Sequence, residues 1–180
     1  MELTSLHSLP EWSVDQWFNT PEPINLSDLR GKVVLIETFQ MLCPGCVSQS
    51  LPLAKQAHEI FPKDKFAVIG LHTVFEHHDA MTPVSLKAFL HEYRISFPVG
   101  VDTPGNGGAP ITMERYGLRG TPSLLLVDAL GNLRKHHFGQ MNALQLGAEI
   151  ATLLGEPILE QATANETNLS RCDENGCLIT

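Results

Sequence analysis

The sequence has few basic residues and no long apolar run. It holds 12 Lys and Arg residues against 20 Asp and Glu residues, which gives a formal net charge of −8. A nucleic-acid groove or an anionic membrane surface selects for clustered cations, so the charge balance argues against both as partners. No segment approaches the roughly 20 apolar residues that a membrane-spanning helix needs. We therefore expect protein or small-molecule partners, with no nucleic acid and no membrane.

Cysteine is also scarce, with four in 180 residues. Proteins that depend on disulfides for their fold carry a higher density of cysteine, so this chain is not expected to be a disulfide scaffold. At 43% hydrophobic and 18% charged residues, it can bury a proper core as one domain with short tails. The four cysteines are therefore interpreted as reactive or metal-binding positions.

The N-terminus lacks the features of a secretory leader. Residues 1–7 include no basic segment and no continuous apolar stretch. The expected compartment is therefore the cytoplasm, or the periplasm if a signal sequence has been removed from the chain.

The order of apolar and amphipathic segments predicts an α/β fold. Strands are predicted at residues 32–39, 66–71, 97–101, 123–127 and 133–138, and helices at residues 44–61, 84–93, 111–116 and 142–154. Strands that alternate with helices and end in a hairpin and a helix indicate a central mixed β-sheet flanked by helices on both faces. Pro52 lies inside the first helix and is expected to kink it.

Composition divides the chain into three parts. Residues 1–25, with Trp12 and Trp17 as candidate anchors, are predicted to form an N-terminal arm packed on the domain. Residues 26–156 are predicted to form the domain itself. Residues 157–180 form a polar tail that carries a second cysteine pair and is expected to be mobile.

The tetrapeptide Cys43-Pro44-Gly45-Cys46 follows an apolar run and opens the first predicted helix. A helix start presents unpaired N–H groups and partial positive charge, which favour a thiolate and lower the pKa of Cys43. Cys46 lies one turn further along the same face and can close a disulfide onto Cys43. The spacing therefore indicates redox chemistry that needs no organic cofactor, and no metal site is assigned to it.

Three segments together resemble the thioredoxin superfamily and, within it, the TlpA/ResA-like thiol-disulfide oxidoreductases. They are residues 26–35 (LSDLRGKVVL), the CPGC motif, and residues 117–128 (GLRGTPSLLLVD). The resemblance implies a thioredoxin-like fold, with the extra strand and helix of TlpA-like proteins around residues 66–101. It also implies exchange with protein or low-molecular-weight thiols and disulfides, and an upstream electron donor or acceptor.

The resemblance implies a cis peptide bond between Thr121 and Pro122, packed beside the CxxC motif. A substrate strand would then pair with the backbone edge at Thr121. Where these proteins commonly place tryptophan before the first cysteine, this chain has Leu42. With Pro44 and Gly45, Leu42 is still expected to form an apolar surface suited to peptide binding.

Glu37 lies six residues before Cys43, the spacing at which thioredoxin carries a buried acid. Burial should raise the pKa of this carboxyl group toward neutrality, so that it can accept the proton that Cys46 must lose. The alternative is a glutamate that points to solvent at a strand end.

The other two cysteines, Cys172 and Cys177, enclose an Asn-Gly turn signal that could bring their sulfur atoms within disulfide range. They are interpreted as an accessory redox pair, as thiols or a local bridge without catalytic role, or as ligands of a zinc ion shared with Cys43 and Cys46. The zinc alternative would make the protein a noncatalytic thioredoxin-like module.

Two further alternatives concern single side chains. A peroxiredoxin-like thiol peroxidase carries threonine three residues before its reactive cysteine, whereas this chain has Gln40 there, so disulfide exchange is favoured. His72, His77 and His78 could bind metal, but a solvated loop after the second strand is the favoured interpretation.

Overall fold

The computed structural model of the chain describes residues 8–157, together with the backbone of Cys172–Asp173 and Gly176–Cys177. Residues 1–7, 158–171, 174–175 and 178–180 lie outside this description, and so does the predicted mobility of the tail. Within the described residues, no helix has both the length and the apolar character to cross a membrane.

The described residues form eight strands and four α-helices, and five of the strands and the four helices lie close to the predicted bounds. The strands are β1 (Val14–Phe18), β2 (Val33–Phe39), β3 (Phe66–His72), β4 (Val99–Asp102), β5 (Ser123–Val127), β6 (Leu133–Phe138), β7 (Cys172–Asp173) and β8 (Gly176–Cys177). The helices are α1 (Leu51–Ile60), α2 (Pro83–Glu92), α3 (Ile111–Arg115) and α4 (Ala143–Gly155). A short 3₁₀ helix (Leu26–Leu29) precedes β2, and a π-helical turn (Cys46–Ser50) precedes α1.

Strands β1 to β6 form one sheet in the order β1-β4-β3-β2-β5-β6. Strands β2, β3 and β4 are parallel, whereas β1, β5 and β6 run antiparallel to their neighbours. Every residue of β2 is buried, as expected for a central strand covered on both faces. The predicted mixed sheet is confirmed, and the active-site turn follows its central strand.

Alternate side chains of β2 enter two apolar clusters on opposite faces of the sheet. Val33, Leu35 and Phe39 pack with residues of α1, α2 and α4. Val34 and Ile36 pack with α3 and the N-terminal arm. Helices therefore cover both faces, as predicted from the sequence.

The N-terminal arm contributes a strand that the sequence interpretation missed. Strand β1 pairs antiparallel with β4 at the edge of the sheet. Gly100 permits this pairing, because a Cβ atom there would lie 2.9 Å from the methyl carbons of Val14. The Trp12 indole N–H donates to the Ile24 carbonyl at 2.8 Å. This hydrogen bond joins the segment before β1 to the segment after it.

Pro52 affects the helix differently from the predicted kink. It lies at the start of α1, directly after the π-helical turn, and the Leu51 amide bonds to the Cys46 carbonyl five residues back. A proline has no N–H to give to the preceding turn, so the wider turn accommodates it without interrupting the helix.

Asp102 at the end of β4 fixes the start of α3. Its buried carboxylate accepts hydrogen bonds from the amides of Thr112 (2.8 Å) and Met113 (3.1 Å) and from the Thr73 hydroxyl (3.2 Å). It therefore joins the carboxyl ends of β3 and β4 to the start of α3.

We expect Asp102→Ala to lower the free energy of unfolding by about 2–4 kcal/mol, because three buried donors lose their acceptor. Urea unfolding would measure the loss, with the exposed Asp15→Ala as the matched control. A change no larger than that of Asp15→Ala would contradict this role for Asp102.

Candidate active site

Cys43 and Cys46 form a disulfide at the start of the helix, with their Cα atoms 5.3 Å apart. Cys43 is partly exposed, whereas Cys46 is 0% exposed. The Cys46 amide donates to the Cys43 sulfur at 3.3 Å. When the disulfide opens, this N–H and the helix start favour a thiolate on Cys43. The reachable sulfur is therefore also the one that the backbone stabilises as an anion.

The segment Thr121-Pro122 lies directly against the CPGC turn. Its peptide bond is cis, and the Thr121 carbonyl oxygen lies 3.5 Å from the Cys43 sulfur. A Cβ atom on Gly45 would lie 3.5 Å from the Pro122 ring, which is an ordinary contact. The fold thus brings together residues that are 78 positions apart, and among the described residues the Thr121 amide makes no backbone hydrogen bond.

Two exposed apolar side chains lie near the active-site turn, Leu42 directly before Cys43 and Phe138 against Gly120, next to Thr121. Leu42 is 57% exposed and Phe138 is 48% exposed. The Phe138 ring packs under the Gly120 backbone, and the Arg119 guanidinium lies 5.7 Å from the ring centroid. Sequence reasoning placed Phe138 only at a strand end, because nothing in the local pattern shows that β6 terminates beside the CxxC turn.

Gln40 connects the active-site turn to the loop after β3. Its backbone carbonyl accepts the Cys43 amide at 3.2 Å, and its buried side-chain oxygen accepts the Phe75 amide at 3.2 Å. Its side-chain nitrogen donates to Glu76 at 3.5 Å. In the sequence, Gln40 is visible only as a polar residue directly after an apolar strand. The sequence analysis used it only to rank the peroxidase alternative.

Glu37 is 0% exposed, so the alternative of a solvent-facing glutamate is wrong. It lies on the face of β2 that carries Leu35 and Phe39, the face against which Cys46 packs. Neither carboxylate oxygen has a hydrogen-bond partner within the described part of the chain. Burial raises the pKa of Glu37 to about 8, and the neighbouring Ser50 hydroxyl only partly opposes that rise.

The favoured interpretation placed His72 in a solvated loop, and for this residue it is wrong. It is the last residue of β3, fully buried, with its ring 5.3 Å from that of Phe39. Burial lowers the pKa of His72 to about 4, so the ring stays neutral at pH 7. His77 and His78 are exposed in the following loop. No metal-binding group of three or more His, Cys, Asp or Glu side chains occurs in the described ranges.

The second cysteine pair is described by its backbone alone. Cys172 in β7 lies directly opposite Cys177 in β8, and Asp173 lies opposite Gly176. This antiparallel pairing agrees with the turn predicted from Asn175-Gly176, and the turn residues 174–175 lie outside the described residues.

Solved structures match almost the whole described domain. A thioredoxin-like superfamily protein is 65% identical with a TM-score of 0.82, and the match covers 83% of this chain and 97% of that one. A thiol-disulfide isomerase from Corynebacterium glutamicum is 47% identical with a TM-score of 0.81, covering 86% of this chain and 100% of that one. Both agree with the thioredoxin-like fold.

Curated relatives are more distant. DipZ of Mycobacterium bovis is 32% identical over 142 residues, which are 77% of this chain and 19% of DipZ, so the chain spans about a fifth of that relative. The thiol-disulfide oxidoreductase ResA of Halalkalibacterium halodurans is 26% identical, over 67% of this chain and 61% of ResA. The AhpC/TSA family matches residues 7–136, which is well over half of the chain. The protein therefore belongs to the AhpC/TSA family of thioredoxin-fold proteins, among relatives of the TlpA/ResA-like oxidoreductases.

Proposed function

We propose that this protein is a thiol-disulfide oxidoreductase that cycles Cys43 and Cys46 between a dithiol and a disulfide. The observation that carries the proposal is the disulfide between a partly exposed and a fully buried sulfur, placed beside the Thr121 backbone. That asymmetry assigns attack on substrate to Cys43 and resolution to Cys46. Relatives named thiol-disulfide oxidoreductase and thiol-disulfide isomerase support the same activity.

The reaction has two exchange steps. In the first, the Cys43 thiolate attacks a substrate disulfide, a mixed disulfide forms, and one substrate sulfur leaves as a thiolate. In the second, Cys46 loses its proton to Glu37 and attacks the Cys43 sulfur. The second substrate sulfur then leaves, and the Cys43–Cys46 disulfide closes with two electrons delivered to the substrate. Run backwards, the same steps oxidise a substrate dithiol.

The surface around Cys43 fits an extended peptide. The Thr121 backbone offers an edge with which a substrate strand can pair, the exposed Pro44 directly follows Cys43, and Gly45 lies against Pro122. Leu42 and Phe138 provide apolar contact for side chains that flank a substrate cysteine. The proposed substrates are disulfides or thiols of proteins and small molecules, with a separate dithiol or disulfide partner that restores the active site.

A redox titration tests this function, using the Cys172→Ser/Cys177→Ser variant so that only one pair titrates. In glutathione or dithiothreitol buffers we expect one reversible two-electron transition, in which a tenfold change of the equilibrium constant corresponds to about 30 mV. Thiols are counted by alkylation and mass spectrometry, and metal content is measured on the same sample. Stoichiometric zinc with no reversible disulfide would overturn the proposal in favour of the metal-binding module.

A further inference from the structure

We propose that the Arg119 guanidinium, held beside the Phe138 ring, selects substrates that carry a carboxylate two residues from their reacting cysteine. The inference rests on the proposed function, because it needs a substrate strand that pairs with the Thr121 backbone. It adds a charge preference to the apolar contacts of that site. The substrate class is thereby narrowed to peptides with an acidic residue near the cysteine.

Arg119 lies within reach of a substrate bound at Thr121. The Thr121 carbonyl oxygen is 3.5 Å from the Cys43 sulfur, and Arg119 precedes Thr121 by two residues. Two residues of extended chain span at most about 7 Å. A substrate strand that pairs with the Thr121 backbone runs alongside this segment, so two of its own residues cover the same span. The side chain two residues from the substrate cysteine is therefore the one that contacts the guanidinium.

The Phe138 ring limits the positions that the guanidinium takes. The central carbon of the Arg119 guanidinium lies 5.7 Å from the ring centroid, within the range of a cation–π contact. The ring lies against Gly120, where a Cβ atom would be 3.1 Å from the Phe138 Cε2 atom. The Gly139 amide donates to the Pro122 carbonyl at 2.8 Å, which joins the end of β6 to the same segment. A long side chain that is already restricted loses less entropy when a carboxylate binds to it.

Arg119 is exposed, and no carboxylate of the described residues neutralises it. Within residues 8–157, every salt bridge joins a carboxylate to one of three other cations, His91, Arg134 or Lys135. The formal net charge of the chain is −8, but exposed charges more than about 8 Å apart are largely screened at physiological salt. A substrate carboxylate at this place therefore interacts mainly with Arg119.

The neighbouring His136 does not supply this charge. Burial lowers the pKa of His136, and charge repulsion from Arg119 and His137 lowers it further. The His136 imidazole is therefore neutral at pH 7, and Arg119 supplies the fixed positive charge beside Phe138.

Mixed-disulfide formation with matched peptides tests the preference. The variant Cys46→Ser/Cys172→Ser/Cys177→Ser keeps Cys43 as its only thiol, so the first attack is measured alone. Each peptide has one cysteine, joined by a disulfide to a neutral fluorescent thiol, with Glu, Gln or Lys two residues before or after it. At one of these two positions we expect the Glu peptide to react about five- to tenfold faster than the Lys peptide at low salt. In 1 M salt, where the Debye length is about 3 Å, the ratio should fall to about twofold or less.

Substitutions made in the same three-serine protein assign the preference to one side chain. Arg119→Gln should lower the ratio of the Glu to the Lys peptide to about twofold or less, and Arg119→Glu should make the Lys peptide the faster one. Arg94→Gln is the matched control, because it removes an exposed arginine just after α2 and changes the net charge equally. It should keep the ratio of the three-serine protein.

Equal rates for the three peptides at both positions, or an unchanged ratio in Arg119→Gln, would overturn the inference. If the peptides form mixed disulfides at equal rates, the proposed function stands while the charge preference fails. If no peptide forms a mixed disulfide with Cys43, the proposed function itself has failed.

Discussion

Replacing Cys43 by serine is expected to abolish disulfide exchange, whereas Cys46→Ser is expected to trap the substrate on the enzyme. A serine hydroxyl at position 43 cannot supply the thiolate that the Cys46 amide and the helix start stabilise, so the loss of exchange should reach roughly three orders of magnitude or more. Cys46→Ser keeps the attacking sulfur and removes the resolving one. The mixed disulfide with Cys43 should therefore accumulate.

Single-turnover exchange with a disulfide-bonded peptide would measure both effects, with trapped species detected by non-reducing mass spectrometry. Ser48→Ala is the matched control, because its hydroxyl is exposed on the same helix and bonds only to the Pro44 carbonyl at 2.7 Å. Background cross-links through the tail are removed by placing all variants in the Cys172→Ser/Cys177→Ser protein. Equal loss of activity in Cys43→Ser and Cys46→Ser, with no trapped species in Cys46→Ser, would count against the assigned roles.

The central part of the fold was predictable because local sequence and tertiary position agree there. Strand β2 is apolar along most of its length and buried on both faces, and the CPGC motif begins four residues after its last residue, Phe39. The distance in sequence between the motif and Thr121-Pro122 is not informative in itself. The prediction that these two segments lie side by side came from the resemblance to a known family and not from periodicity.

The edges of the fold depend on contacts that no local pattern encodes. The β1–β4 pairing depends on Gly100, which leaves space for the side chain of Val14. These two residues are 86 positions apart in the sequence. Phe138 reaches the active site only because β6 pairs with β5 and ends beside Gly120. His72 could not be recognised as buried, because histidine is intermediate in its tendency to be buried and its place at the end of an apolar strand does not decide its exposure. In each case the local sequence does not show which residues will lie beside the one in question in the folded protein.

Glu37→Gln is expected to change the pH dependence of stability in the oxidised protein. The pKa of Glu37 is raised from 4.5 to about 8, so the folded state binds a proton more tightly than the unfolded state. Its contribution is fully present below pH 4.5 and is lost as pH rises through 8. The stability of Glu37→Gln relative to wild type should therefore increase by up to about 4 kcal/mol between pH 4.5 and pH 9.

In the oxidised protein, the difference in stability between wild type and Glu37→Gln reports specifically on Glu37. Cys43 and Cys46 are joined and do not titrate. His72, whose pKa is lowered to about 4, contributes a stability that is lost as pH falls from 6.5 through 4, in wild type and variant alike. Its effect cancels in the difference when the two sites are independent. The exposed Glu92→Gln serves as the control for replacing a glutamate by glutamine at the surface.

The same substitution separates a positioning or structural role of Glu37 from a role in proton transfer. If the carboxylate accepts the proton of Cys46, resolution of the mixed disulfide in wild type should accelerate as pH approaches 8, where Glu37 ionises. Glu37→Gln should lose that acceleration and resolve about 10- to 100-fold more slowly near neutral pH, while the first attack by Cys43 keeps its rate. Stopped-flow release of a labelled peptide measures the two steps separately. An unchanged resolution rate combined with the predicted stability shift would leave Glu37 as a buried acid that affects folding alone, with the proton of Cys46 passing directly to solvent.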